Sequence, residues 1–137
     1  MKKIGIMTTG GDCSGLNSVI NRIITGATAR GWSVFGIVDG TDGLCCCPTN
    51  IIKMTPDTIP PEAARLAGSF LHNGHAHMMN FETAAETGHM QQFNRMLKTS
   101  LAALKLDAMI LIGGNGSFSL AYKNNDIYNG LSLVCIP

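Results

Sequence analysis

Apolar positions along this chain fall into two patterns, short solid runs and helical stripes, and the two alternate. Lys3-Ile4-Gly5-Ile6-Met7-Thr8 is a short apolar run that ends in Gly10-Gly11, and it predicts a buried strand. Leu16, Val19, Ile20, Ile23, Ile24 and Ala27 then recur at helical spacing, which predicts an amphipathic helix from about Gly15 to Arg30. Gly31 is placed to close that helix. Trp32 to Val38 reads as the next strand, and Asp39-Gly40-Thr41-Asp42-Gly43 as a turn cluster. Strand, glycine loop, helix and strand in that order make a βαβ unit, with a parallel sheet and a right-handed crossover.

The middle of the chain is less regular. Asn50 to Met54 suits a short strand, and Pro61 to Leu66 a brief helix opened by its proline. Residues 68 to 89 carry glycines and all four histidines without a clear period, and read as a loop or a short irregular helix. The pattern returns with a second stripe at Met90, Phe93, Leu97, Leu101 and Leu104. Leu106 to Ile112 predicts a strand, Gly113-Gly114-Asn115-Gly116-Ser117 a second glycine loop, and Phe118 to about Asn124 a short helix. Leu131 to Ile136 is the last predicted strand. The fold class that follows is α/β, an open, mostly parallel sheet with helices on both faces, Rossmann-like and three-layered. A final strand with no crossover helix after it leaves a sheet face uncovered, so the expectation is a sheet incomplete at its C-terminal side.

Composition narrows the function classes. The 137 residues carry a net charge of +1, and no basic cluster exists beyond Lys2-Lys3, which argues against a nucleic-acid partner. The longest purely apolar stretch, Ala108 to Ile112, is far shorter than the ~18 residues of a membrane span. The N-terminus lacks the long apolar region of a signal peptide. Five cysteines, three of them consecutive at Cys45-Cys46-Cys47, do not resemble a secreted disulfide framework. A soluble, cytoplasmic protein is the expectation.

Each glycine loop follows a predicted strand and opens a helix. Backbone N–H groups can turn inward there, and the helix N-terminus adds partial positive charge, so phosphate is the ligand such a geometry suits. One such loop could be a plain tight turn, but two in one sheet favour a ligand. Gly10 and Gly15 have the spacing of a Walker A loop, yet Leu16-Asn17 stands where Lys-Ser/Thr would be needed. Gly-x-Gly-x-x-Gly is absent from the first βα turn, which weakens a dinucleotide-binding reading.

These residues carry a resemblance. Ile4-Gly5-Ile6-Met7-Thr8-Thr9-Gly10-Gly11-Asp12-Cys13-Ser14-Gly15-Leu16-Asn17 resembles the opening of the 6-phosphofructokinases, Thr-Ser-Gly-Gly-Asp-x-Pro-Gly-Met/Leu-Asn. Gly36 to Leu44 is similar to that family's Gly-x-x-x-Gly-x-x-Gly-Leu segment, and Ile110 to Ser117 to its Ile-Gly-Gly-Asp-Gly-Ser loop. Gly68-Ser69-Phe70-Leu71 echoes its Gly-Thr-x-Leu stretch. The resemblance implies two similar α/β domains, of which residues 1–137 would form the N-terminal nucleotide-binding part, the second being absent. It also implies transfer of the γ-phosphoryl of ATP, with Mg²⁺, to the 1-hydroxyl of fructose 6-phosphate in glycolysis. The nucleotide would lie on Gly11, His75, Gly114, Asn115, Gly116 and Ser117, with Asn115 at the magnesium-associated position. Gly116 points to ATP, since relatives that use diphosphate carry Asp there. ATP and a sugar phosphate are thus the implied small-molecule partners, and the family forms homo-oligomers.

Departures from the family pattern set further expectations. The magnesium-associated aspartate is Asn115, whose amide can coordinate a hard cation but adds no charge. An aromatic beside the adenine is Thr41, the phosphate-reaching arginine falls at His75, and a glycine after the serine loop is Leu120. Two effector-binding arginines of bacterial members correspond to Asn21 and Thr25. The family's Gly-Thr-Ile-Asp-Asn-Asp, which holds the catalytic base, would follow Pro137. No catalytic residue is therefore expected within the chain, which would be a fragment inactive by itself. Two other readings stay open, a noncatalytic or decayed nucleotide-binding relative, and an unrelated metal-binding protein built on Cys45-Cys46-Cys47 with His72, His75 and His77. Spacing argues against a metal site, because adjacent cysteines do not easily converge on one ion. Asp12 could orient a phosphate loop or form a local Asx turn, Asp39 and Asp42 suit turn roles, and the eight methionines suit the core.

Overall fold

A computed structural model describes residues 1–45, 49–74, 89–123, 125–128 and 130–137. Five strands, β1 (Lys3–Thr8), β2 (Ser33–Ile37), β3 (Ile51–Met54), β4 (Ala108–Ile112) and β5 (Ser132–Ile136), form one sheet in the order β3-β2-β1-β4-β5. β1 runs parallel to β2, with Ile4 opposite Val34, and parallel to β4, with Ile6 opposite Ile110. β4 and β5 are also parallel, and β3 is antiparallel to β2. The mostly parallel open sheet expected from the apolar runs is the one observed.

Period-two alternation in β1 decides what covers each face. Ile4 and Ile6 point to helix α1 (Leu16–Thr28), where they meet Leu16, Ile20, Ile24 and Ala27. Met7 points the other way, into a core with Ile37, Met109 and Leu111. That second face is covered by α2 (Gly40–Cys45), α3 (His89–Leu104) and α4 (Asn115–Lys123), through Leu44, Phe93, Leu97, Leu101 and Ala121. Three layers result. Met7, Met54 and Met109 are buried in the two cores.

Gly31 closes α1 as the sequence suggests. Its φ is 70°, its N–H bonds the Thr28 carbonyl at 2.9 Å, and the Trp32 N–H bonds the Ala27 carbonyl at 3.0 Å, which is a Schellman closure. Two other expectations need correction. Residues 39–43, read as a turn, mostly belong to α2. The chain reverses at Asp39 and Gly40, both with positive φ, and Gly43 N–H already bonds the Asp39 carbonyl at 3.2 Å. Gly43 passes so close to the Val38 carbonyl that no Cβ fits, so its glycine serves packing inside a helix. The second correction concerns α4, which begins at Asn115 and not at Phe118. Phe118 N–H bonds the Gly114 carbonyl at 3.2 Å, so Asn115, Gly116 and Ser117 form the first helical turn.

Candidate functional site

β1 sends its crossover, α1, to β2 on one side, while β4 flanks it on the other. The connections leaving the carboxyl ends of β1 and β4 therefore diverge, which is the switch point where open α/β sheets bind ligands. Both glycine loops lie there. Thr9 N–H bonds the Ile112 carbonyl at 3.0 Å and Gly113 N–H bonds the Ile136 carbonyl at 3.0 Å. Thr9 Oγ1 donates to Ser117 Oγ at 2.6 Å. A Cβ on Gly113 would stand 2.6 Å from Ser117 Oγ and 2.7 Å from the Thr9 carbonyl. Glycine is what lets the loops come this close.

The outer surface of this junction is open backbone. A Cβ added to Gly11, Gly114 or Gly116 would meet nothing within 4 Å. Gly15 caps α1 with φ 97° and no side-chain bond. Val19 is the first residue to bond back, to the Gly15 carbonyl at 3.0 Å. In α4 that residue is Phe118, so the N–H groups of Asn115, Gly116 and Ser117 have no partner within the helix. Neither helix carries an acidic residue in its first turn. An anion would meet free donors and partial positive charge at both ends.

Residues 68–74 build the remaining wall. Asn17, buried at the start of α1, donates to the Ala63 and Gly68 carbonyls at 2.7 and 2.8 Å and accepts the Phe70 N–H at 2.6 Å. The Thr8 and Ser69 hydroxyls are 2.8 Å apart, and Thr8 also donates to the His72 carbonyl at 3.1 Å. Asp12 Oδ1 accepts the Ser69 N–H at 3.3 Å and the Asn73 amide at 2.6 Å. Asp12 thus clamps a distant loop, and these two bonds are not those of a local Asx turn. Between these walls lies a cleft of about 230 Å³, with Gly10, Gly11, Asp12, His72 and Asn73 at its surface. Asn73 Oδ1 is buried there and has no partner among the described residues.

Gly11, Gly114, Asn115, Gly116 and Ser117 are therefore gathered at one edge of the sheet, as the loops suggested. His75 lies outside the described residues, as do Cys46, Cys47 and His77 of the metal alternative. No three His, Cys, Asp or Glu side chains gather as metal ligands among the described residues, and His72 is instead bonded to Asp39 at 3.1 Å. Asp39 keeps its turn role, with its φ of 60° and a second bond from Asn50 at 3.3 Å. Thr41 is buried in α2. Sequence reasoning missed the holding residues Thr8, Thr9, Asn17 and Ser69. The signal for Asn17 was available: it stands beside Leu16 at the start of an apolar stripe, where a buried amide needs backbone partners.

The family description Phosphofructokinase matches residues 3–137. The ATP-dependent 6-phosphofructokinase 1 of Nostoc sp. is 34% identical over 136 residues, covering 99% of this chain and 37% of that protein. Its counterpart in Synechocystis sp. is 35% identical over 139 residues, covering 100% of this chain and again 37% of the relative. The chain thus spans little more than a third of the length of these curated relatives. The phosphofructokinase structure from Saccharomyces cerevisiae superposes with a TM-score of 0.72 at 22% identity, over 99% of this chain and 20% of that one. That likeness shows a shared fold. No helix among the described residues is long and apolar enough to cross a membrane. With the family description matched from Lys3 to Pro137 and both glycine loops converging at the sheet's switch point, the chain belongs to the phosphofructokinase family.

Proposed function

We propose that these 137 residues form the N-terminal, ATP-side part of a 6-phosphofructokinase, which passes the γ-phosphoryl of ATP to fructose 6-phosphate. The observation that carries this reading is the convergence of Gly11 and the Gly114–Ser117 turn on one open edge. The fit to a polyphosphate is good, because open glycine backbone and two helix N-termini offer donors without side-chain obstruction. The fit to Mg²⁺ is weaker in charge. Asn115 is exposed and neutral, and the Asp12 carboxylate already accepts two bonds. Bound Mg-ATP would bring most of the anionic oxygens itself, as magnesium sites in phosphoryl-transfer enzymes commonly have it.

The residues present hold and orient. Asn115, Gly116 and Ser117 would present N–H groups to phosphate oxygens, and Thr9 fixes Ser117 so that the turn is set before ligand arrives. Asp12 and Asn17 keep residues 68–73 against the cleft. Phosphoryl transfer also needs a base at the nucleophile. By the family pattern, that base belongs to a Gly-Thr-Ile-Asp-Asn-Asp segment that is not among these residues. The 137-residue chain alone should therefore bind Mg-ATP and leave fructose 6-phosphate unphosphorylated.

Thermal unfolding with and without Mg-ATP tests the reading. At a hundredfold excess over Kd, ligation should stabilise the chain by about 2.7 kcal/mol, several degrees in Tm. No shift at millimolar Mg-ATP would overturn it, and turnover of fructose 6-phosphate by pure chain would overturn the assignment of the base elsewhere. A noncatalytic relative with weakened nucleotide affinity is the second reading. It is favoured by Thr41, which is buried where the family pattern has an aromatic beside adenine and so offers no stacking face. A Tm shift with tripolyphosphate equal to that with ATP would support it.

A further inference from the structure

The cleft beside Gly11 has an unusual charge balance. Among the described residues at its surface are one carboxylate, Asp12, one imidazole, His72, and no lysine or arginine. A second carboxylate, Asp39 from the β2–α2 turn, touches the same imidazole. A polyphosphate entering here would face two negative side chains, and among the described residues His72 is the one group at the cleft surface that can turn positive.

His72 is held for such a role. Its Nδ1 lies 3.1 Å from Asp39 Oδ1, and its carbonyl accepts the Thr8 hydroxyl at 3.1 Å. Asp39 is in turn fixed by its N–H, which bonds the Leu71 carbonyl at 2.8 Å. A carboxylate on one ring nitrogen sets the tautomer and the orientation of the ring. Nε2 makes no hydrogen bond among the described residues, and the side chain is 70% exposed. The backbone pays for this placement, since His72 has φ 57°, a conformation that suits glycine and is uncommon for other residues.

We propose that His72, oriented by Asp39, is a protonatable phosphate ligand of this cleft, so that nucleotide affinity rises when the imidazole is charged. The proposal rests on the nucleotide reading above. Among the described residues, the charged groups beside the imidazole are Asp39 from the β2–α2 turn, which it touches, and Asp12 from the β1–α1 loop, which lines the same cleft. Neither carboxylate can bind an anion.

The test is calorimetric binding of Mg-ATP and of inorganic tripolyphosphate to the 137-residue chain, at about pH 6 and about pH 8, the window in which imidazoles change charge. The wild-type chain should bind both ligands about three- to tenfold more tightly at the lower pH, less than a buried charge-assisted contact gives because the group is exposed. His72→Gly and His72→Gln should each lose most of that difference. Any pH dependence of the ligands themselves is shared by the variants and cancels in the comparison. His72→Gly should also keep or raise the Tm of the free chain, because glycine suits φ 57°, which separates loss of a ligand from loss of the fold. Asp39→Asn, which tolerates the same backbone, should shrink the pH difference without abolishing binding. Wild-type affinity and pH dependence in His72→Gly would sink the proposal with the nucleotide reading intact. Failure of the wild-type chain to bind either ligand would sink both.

Discussion

The Thr9 hydroxyl donates to Ser117 Oγ at 2.6 Å, joining two residues 108 positions apart in sequence. Each belongs to a different glycine loop, so this bond fixes one loop against the other at the carboxyl edge of β1 and β4. Because Ser117 accepts in this bond, its own O–H stays available, beside the backbone N–H groups of the α4 first turn, as a donor for a ligand.

Thr9→Val keeps the shape and β-branching while removing the donor. The variant should lose about 1 kcal/mol of stability, the usual net value of one partly buried hydrogen bond. It should also show a smaller Mg-ATP-induced rise in Tm than the wild-type chain, because the α4 turn is no longer preset. Urea unfolding gives the first quantity and a melting series in Mg-ATP the second. A full nucleotide shift in Thr9→Val would mean that the bond serves the fold alone.

Asn17 is the larger structural commitment. Its amide is buried and bonds three backbone groups, the Ala63 and Gly68 carbonyls and the Phe70 N–H. Asn17→Leu would leave those groups without their partner in an apolar setting, at a cost of about 2–4 kcal/mol. Residues 63–74 should then open first, which amide hydrogen exchange would register as lost protection at Phe70 and Leu71. Unchanged exchange there would show that Asp12 and Thr8 hold the wall without Asn17.

These residues also mark where the sequence was legible. β1 and its face assignment follow from Ile4, Ile6 and Met7, because a period of two admits one arrangement once α1 presents a single apolar stripe. The closure of α1 at Gly31 was readable for the same local reason. The α2 boundary was not, since the glycines at 40 and 43 look like turn residues until the Val38 carbonyl is seen packed against Gly43. The site divides similarly. Gly11, Gly114 and Gly116 declare themselves through their position after strands, whereas Asp12, Thr8 and Ser69 act on partners about sixty residues away, which no local pattern encodes. In the sequence His72 stands out only as part of a histidine cluster, and its pairing with Asp39 depends on two positive φ values that come from tertiary packing.

Asn115→Asp should strengthen the dependence of nucleotide binding on Mg²⁺. Asn115 opens α4 and is exposed at the edge where the loops converge. A carboxylate there would suit the hard cation better than an amide. It would also favour the helix N-terminus by about 0.3–1 kcal/mol in the free chain. The expected result is a larger ratio of ATP affinity with Mg²⁺ to affinity with EDTA. Without metal, the added negative charge should weaken ATP binding. An unchanged ratio would argue that the metal does not approach α4.

Tyr128 supplies a prediction independent of the site. Burial beside Ile127 and Leu131 pushes its phenol above the ordinary value of 10.0, with smaller contributions in the same direction from Cys135 and Cys45. The unfolded chain therefore loses this proton at a lower pH than the folded chain does. Between about pH 10 and the folded-state value, the folded protein holds more protons, so stability must fall as pH rises, by at most about 1.4 kcal/mol per pH unit. Below pH 10 the phenol is neutral in both states and contributes no slope. Tyr128→Phe removes the titration while keeping the ring in its core. Urea midpoints of the two proteins should run parallel from about pH 7 to 9.5 and then separate, with the wild-type chain losing stability faster. Parallel curves through pH 11 would mean that the hydroxyl reaches water in the folded state, and that the core around Ile127 is looser than its burial implies.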